Sequence, residues 1–183
     1  MKTIVCGVDE AGRGPLAGPV TAAAVILPDD FPIEILDDSK KLSAIKREQA
    51  AEIILSKASA VGIGWAWNEE IDRYNIHCAT LLAMKRALRD MHASPDCVCV
   101  DGKYIPCSPY KCFPVIKGDS FVPEIQAASI IAKTSRDRWM IRYARIEPVF
   151  QFEKHKGYPS KLHRELIKEH GFSPIHRRTF RVS

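Results

Sequence analysis

The stretch Val8-Asp9-Glu10-Ala11-Gly12-Arg13-Gly14-Pro15-Leu16-Ala17-Gly18-Pro19-Val20 constrains this chain more than any other. One apolar run, Thr3 to Val8, leads into it, and a second, Val20 to Leu27, leaves it. Each run has the length and composition of a strand, and the Gly/Pro cluster between them is turn punctuation. Asp9 and Glu10 therefore sit where a strand runs out. The glycines that follow let backbone come close to a ligand, with Arg13 between them. A phosphate-cradling P-loop reads poorly here, because Pro15-Leu16 stands where Lys-Ser/Thr is needed and a strand follows instead of a helix. Alone, the stretch could also be a solvated turn. The rest of the chain gives it chemistry.

At 183 residues the chain is one domain, or one domain with a small appendage, divided here as 1–147 and a basic helical extension 148–183. A hydrophobic fraction of 46% suffices for a sizeable core, and a formal charge of +5 suggests, mildly, a polyanionic partner. No long apolar segment could span a membrane. The start, a lone Lys2 and then a strand with acids, does not read as a signal peptide. Of the six cysteines (Cys6, Cys78, Cys97, Cys99, Cys107, Cys112) none forms a CxxC pair, which favours free thiols and a cytoplasmic protein. Cys107 and Cys112 flank a turn and are the pair that could bridge.

Further along, Pro28, Asp29, Asp30 and Pro32 break the second strand, and the loop ends in Asp37-Asp38-Ser39-Lys40-Lys41-Leu42, where two lysines beside a hydroxyl suit a phosphate. Ser43 caps a helix to about Lys57. A glycine-containing strand, Ala60 to Trp67, implies close packing by a neighbour. A helix from Asn68 to about Ala93 follows, broken near Tyr74 with Asn75 opening its second part. Asp96 to Gly102 reads as a buried strand ending in Asp101. Lys111 to Ile116 is a fifth strand, placed at an edge by Pro114 and followed by Lys117-Gly118-Asp119-Ser120. Pro123 opens a long helix toward Arg145, with Ile125, Ala128, Ser129, Ala132 and Ser135 on one side. Asp137 lies about 25 Å along that helix from Asp119 at 1.5 Å per residue, and its flanking arginines suit an ion pair. The tail interleaves basic and aromatic residues around a short helix, Lys161 to His170, as for stacking on a sugar or base while holding phosphate.

Acids at 9–10, 101 and 119 thus stand at strand ends, where ligand sites of open α/β sheets lie. Convergent carboxylates repel each other unless divalent cations intervene. Oxygen donors without Cys or His suit Mg²⁺ or Mn²⁺, and paired ions of this kind serve in-line phosphodiester hydrolysis.

In Asp9 to Val20, Asp38-Ser39-Lys40-Lys41-Leu42-Ser43, Asp101-Gly102, Lys117-Gly118-Asp119-Ser120, Ala127 to Lys133, Arg136-Asp137 and His155-Lys156-Gly157-Tyr158-Pro159-Ser160 with His163, the sequence resembles bacterial ribonuclease HII. The resemblance implies an RNase H-like α/β fold, a five-stranded mixed sheet flanked by helices with a small helical C-terminal extension. It implies metal-dependent endonucleolytic cleavage of RNA in RNA/DNA hybrids and at single ribonucleotides in duplex DNA, giving 5′-phosphate and 3′-hydroxyl ends. Carried onto this chain, Asp9, Glu10, Asp101 and Asp119 would hold Mn²⁺ or Mg²⁺. Gly12, Arg13 and Gly14 would grip the ribonucleotide's 2′-hydroxyl, largely through backbone. Tyr158 would stack on the following sugar, and the lysines of Ser39-Lys40-Lys41 would hold phosphate. A monomer that touches no membrane is expected. A DNA nuclease of the same fold, such as a junction resolvase, would need the carboxylates but not the Gly12–Gly14 and Tyr158 pair. A non-catalytic nucleic-acid-binding protein would need only the basic tail.

Overall fold

A computed structural model of the chain describes residues 3–36 and 42–182. The proposed phosphate contacts Ser39, Lys40 and Lys41 lie outside the described residues. Five strands, β1 (Val5–Ala11), β2 (Val20–Ile26), β3 (Ala60–Ala66), β4 (Cys97–Asp101) and β5 (Cys112–Val115), form one sheet in the order β3-β2-β1-β4-β5. β1 pairs antiparallel with β2 and parallel with β4. β2–β3 is antiparallel and β4–β5 parallel, which makes the sheet mixed. Pro114 sits on the edge strand β5, where its missing N–H leaves no central ladder bond unmade.

Helices cover both faces: α1 (Ala44–Lys57) and α3 (Pro123–Tyr143) on one, α2 (Asn68–Asp90) on the other. Strand alternation divides the core accordingly. Cys6, Val8, Val20, Ala22, Ala24, Val98 and Val100 pack toward α2, while Ala23 and Val25 pack toward α1 and α3. Helix and sheet approach closely on each side. A Cβ on Gly7 would overlap the backbone of Glu124, and one on Gly62 or Gly64 would overlap backbone of α2. The Ser43 hydroxyl accepts from Lys46 N at 3.3 Å and caps α1. The break in α2 falls at Asn75, at φ 66°, whose Oδ1 accepts from His77 N and Cys78 N at 2.9 and 3.1 Å and restarts the helix.

The structure corrects three sequence expectations. β1 runs on through Asp9 and Glu10 to Ala11, because β2 continues to pair with it as far as Thr21. α3 is buried nearly all round, since it lies between the sheet, α1 and the C-terminal segment. Asp137 is ion-paired as expected, but with Lys133 (2.9 Å) and Arg47 (3.8 Å) instead of its chain neighbours, for Arg136 turns into the core and Arg138 reaches Glu48. All six cysteines are free, Cys107 and Cys112 included.

Beyond Pro148, α4 (Phe152–His155) and α5 (Lys161–His170) pack with Phe150, Leu166 and Ile175 against Ala17 and Met140. Three histidines are buried here, His155, His163 and His176. Ser173 N donates to His176 Nδ1 at 2.8 Å, which puts the neutral ring's proton on Nε2. That proton is shared with His163 Nε2 at 3.0 Å, and His163 Nδ1 then donates to Tyr158 O at 2.9 Å. Burial and then the neighbouring histidine hold His163 and His176 near pKa 4, down from 6.5. Burial lowers His155 as well, and Arg178 opposes protonation of His176. Between pH 6.5 and about 4 the unfolded chain therefore binds more protons than the folded one. The stabilising effect is complete above pH 6.5 and is lost as pH falls through that window, by about 3 kcal/mol for one such histidine. Thermal melts from pH 7 to 4 should show Tm falling more steeply for the native protein than for His163→Asn. Parallel curves would contradict the assignment.

Candidate active site

Asp9 and Glu10 occupy the last turns of β1, pointing to opposite faces of the strand as neighbours do. They share one cleft because the strand ends at Ala11 and the chain swings away through Gly12, at φ +95°. In the β1–β4 register Val8 faces Val100, so Asp9 and Asp101 follow one step on along adjacent parallel strands. The cleft, of about 240 Å³, is lined by Asp9, Glu10, Ala11, Gly12, Arg13, Asp101, Ser129, Lys133 and Tyr158. Glu10, Arg13 and Asp101 also border a second hollow, toward Gly102 and Tyr104 on the α2 side. Larger cavities, of about 520, 470 and 340 Å³, lie elsewhere; the second is bordered by Glu69, Glu70 and Asp90, but there Glu70 is paired with Arg86 at 2.7 Å and Asp90 accepts from Ile63 N at 2.9 Å.

Asp119 is buried on the 3₁₀ turn Gly118–Ser120 and is not among the residues lining the cleft; its backbone N–H donates to Asp101 Oδ1 at 3.4 Å, and its own Oδ1 accepts from Ser120 Oγ at 3.4 Å. Gly14 is exposed beside Arg13 on the same loop, and Tyr158 is 37% exposed with its ring 5.1 Å from Lys133 Nζ.

Asp9 is 5% exposed. Burial, then the adjacent Glu10 charge, hold its carboxyl well above the usual carboxylate range, against the Ser129 hydroxyl and the Glu10 N–H that bond it. Burial also raises Glu10, opposed by Arg13, whose Nη1 lies 3.3 Å from Glu10 Oε1. Carboxylates crowded in this way are short of positive charge, and the donors are all oxygen, which fits a hard divalent cation. Among the described residues no three His, Cys, Asp or Glu side chains could enclose an ion by themselves. Any ion held by these acids would therefore share its coordination with water and substrate phosphate, as Mg²⁺-type sites do.

Four residues with roles at the cleft were not singled out as site residues from the sequence. Ser129 and Lys133 lie four apart on α3, on the helix face that also carries Asp137, a spacing that could have been read. Arg136 and Arg177 lie beneath the Gly12–Pro19 loop. The sequence pattern places Arg177 in a phosphate-binding tail, but backbone carbonyls capture it in the interior.

The family model described as Ribonuclease HII matches residues 6–183. The chain belongs to the ribonuclease HII family. A ribonuclease HII of Treponema denticola is 50% identical over 198 residues, covering 98% of each chain. The ribonuclease HII solved in complex with PCNA from Archaeoglobus fulgidus superposes with a TM-score of 0.82 at 25% identity, over 97% of this chain and 95% of that one. Bst-RNase HIII, solved with Mn²⁺, shares the fold at a TM-score of 0.74 and 20% identity, over 98% of this chain and 68% of its own. The ribonuclease HII fold thus accounts for the five-stranded mixed sheet and its helices. Among the described residues, no helix is long and apolar enough to cross a membrane.

Proposed function

We infer that this chain is a divalent-metal-dependent endonuclease that hydrolyses the RNA strand of RNA/DNA hybrids and incises at single ribonucleotides embedded in duplex DNA. The observation that carries this reading is the shared cleft, in which Asp9, Glu10 and Asp101 meet the backbone of Gly12 and Arg13 and the ring of Tyr158. Asp9, Glu10, Asp101 and Asp119 would hold Mg²⁺ or Mn²⁺, and the Mn²⁺ complex of the related Bst-RNase HIII supports the second ion. When bound, such ions make water a nucleophile near neutral pH and neutralise charge on phosphate oxygens.

The remaining work falls to the chain itself. Gly12, Arg13 and Gly14 present backbone donors to the 2′-hydroxyl, the group that separates RNA from DNA. Lys133 brings a positive charge into the cleft, and Lys40 and Lys41 hold phosphate further along the strand. Water attacks the phosphorus, the bond to the 3′ oxygen breaks, and that oxygen leaves as a hydroxyl; the 2′-hydroxyl is recognised but does not attack. The protein works as a monomer in the cytoplasm. In Mg²⁺ or Mn²⁺ it should cut a duplex carrying one ribonucleotide and leave the all-DNA duplex intact, with both reactions silent in a chelator. Equal cutting of the all-DNA duplex would favour a DNA nuclease of the same fold. Binding without cutting would favour a non-catalytic binder.

Tyr158 reads the sugar beyond the ribonucleotide. Its backbone is fixed before substrate arrives: the N–H donates to His155 O at 2.8 Å, and the carbonyl accepts from Ser160 N at 2.8 Å and His163 Nδ1 at 2.9 Å. Pro159 further restricts it. Tyr158→Ala should lose about 1–3 kcal/mol of stacking, and Tyr158→Phe should keep most of that. The loss should weigh most on the single-ribonucleotide duplex, where the next sugar is deoxyribose, and less on a continuous RNA strand. Equal losses on both substrates, in proteins shown to be folded by thermal melting, would rule out this role.

A further inference from the structure

The loop from Gly12 to Pro19 contains two prolines, so it has few N–H groups of its own to satisfy its carbonyls. Two arginines from distant parts of the chain do so, and both side chains are fully buried. Arg136, on α3, donates from Nε to Pro19 O at 2.8 Å, from Nη2 to Ala17 O at 3.0 Å and from Nη1 to Lys156 O at 3.0 Å. Arg177 donates from Nε to Gly18 O at 2.9 Å, from Nη1 to Arg13 O at 3.0 Å and from Nη2 to Gly12 O at 2.6 Å. The C-terminal segment is itself fastened to the loop. Gly18 N donates to Ile175 O and Arg177 N to Leu16 O, at 2.9 and 2.8 Å, around an antiparallel bridge between Ala17 and His176.

A buried charge is costly, and backbone carbonyls are an unusual set of partners for two adjacent guanidiniums. What they achieve is directional. A trans peptide places its N–H opposite its C=O, and the described residues contain no cis peptide. Holding the carbonyls of Gly12 and Arg13 inward therefore turns the N–H groups of Arg13 and Gly14 outward, on the exposed side of the loop beside the cleft.

We propose that Arg177, braced by Arg136, is the positioning residue for ribonucleotide selectivity: its three-pronged grip on the Gly12–Gly18 backbone fixes the direction of the two amide donors that meet the 2′-hydroxyl. The proposal rests on the functional reading above. Lysine at this position would keep the charge, but its three donors radiate from one nitrogen and cannot span the carbonyls of Gly12, Arg13 and Gly18 as the planar fork does.

The test uses the intact protein in Mg²⁺. Cleavage of a labelled single-ribonucleotide duplex gives KM, and its inhibition by an unlabelled all-DNA duplex gives Ki. A wild-type protein whose KM is no lower than its Ki would refute the functional reading, not the role of Arg177. Given wild-type discrimination, Arg177→Lys should raise KM about tenfold and leave Ki unchanged, because contacts to the DNA backbone do not pass through the two amides. Arg177→Gln should behave likewise and provides a second variant if the first does not fold. Unchanged KM, or KM and Ki rising together, in a variant with a cooperative melt would overturn the proposal. Failure of both variants to fold would also overturn it and leave Arg177 a structural residue only.

Discussion

Asp9→Asn should reduce single-turnover cleavage of a ribonucleotide-containing duplex by at least about a thousandfold, roughly 4 kcal/mol of barrier, while the protein folds and binds as before. Asp9 is the most buried acid of the cleft, is bonded by the Glu10 N–H at 2.7 Å and the Ser129 hydroxyl, and lies opposite Asp101 one step beyond the Val8–Val100 pair. Asparagine has almost the same volume and can keep one acceptor for those donors. What it lacks is the charge a divalent ion needs. The same change removes a buried charge pressed against Glu10, so in chelator the variant should melt at or above the wild-type temperature. Activity near wild type in Mg²⁺ would refute metal-dependent hydrolysis at this site. A collapse in Tm would show that Asp9 serves the fold.

The second large effect should come from Gly12→Ala. At φ +95° a side chain is strained in any case, and a Cβ here would overlap Arg136 Nε and Cδ and approach Pro19 O to 2.9 Å. The arginine cannot move aside without releasing Pro19, Ala17 and Lys156. Backbone strain and overpacking together should cost about 2–4 kcal/mol of stability. Cleavage should fall at least about a hundredfold, as a 1 Å displacement of a positioning element can do. Gly14→Ala is the stability control, since nothing lies within 4 Å of its added Cβ. Chemical denaturation and single-turnover kinetics on both variants check this. Equal stability of the two would contradict the packing described for Gly12.

The parts legible in the sequence are those governed by local chemistry. Apolar runs bounded by Gly and Pro mark the strands, Ser43 marks a cap, Asn75 a restart and Pro114 an edge, and each rests on contacts within a few residues. Asp9 and Glu10 could be read because a glycine loop follows them directly. The extent of β1 could not, because whether Asp9 to Ala11 stay in the strand is decided by how far β2 runs beside them. Arg136 and Arg177 were illegible for a stronger reason. Arginine is ordinarily exposed, and five of the six carbonyls that justify burying these two are 117 to 165 positions away along the chain, the sixth, Lys156 O, being 20 away. The partners of Asp137 were misread similarly, since Arg47 comes from α1 and Lys133 from one turn back in α3.

The central claim, that water attacks the phosphorus at a ribonucleotide recognised by its 2′-hydroxyl, in a site whose carboxylates would hold a divalent metal, is tested most directly by the chemical nature of the cut ends. The wild-type protein should act in Mg²⁺ on a duplex with one ribonucleotide, in water enriched in heavy oxygen, and both fragments should be weighed by mass spectrometry. A 5′-phosphate carrying one heavy oxygen and a free 3′-hydroxyl are the expected products. A 2′,3′-cyclic phosphate with a 5′-hydroxyl would mean that the 2′-hydroxyl is the attacking group, and would contradict the account.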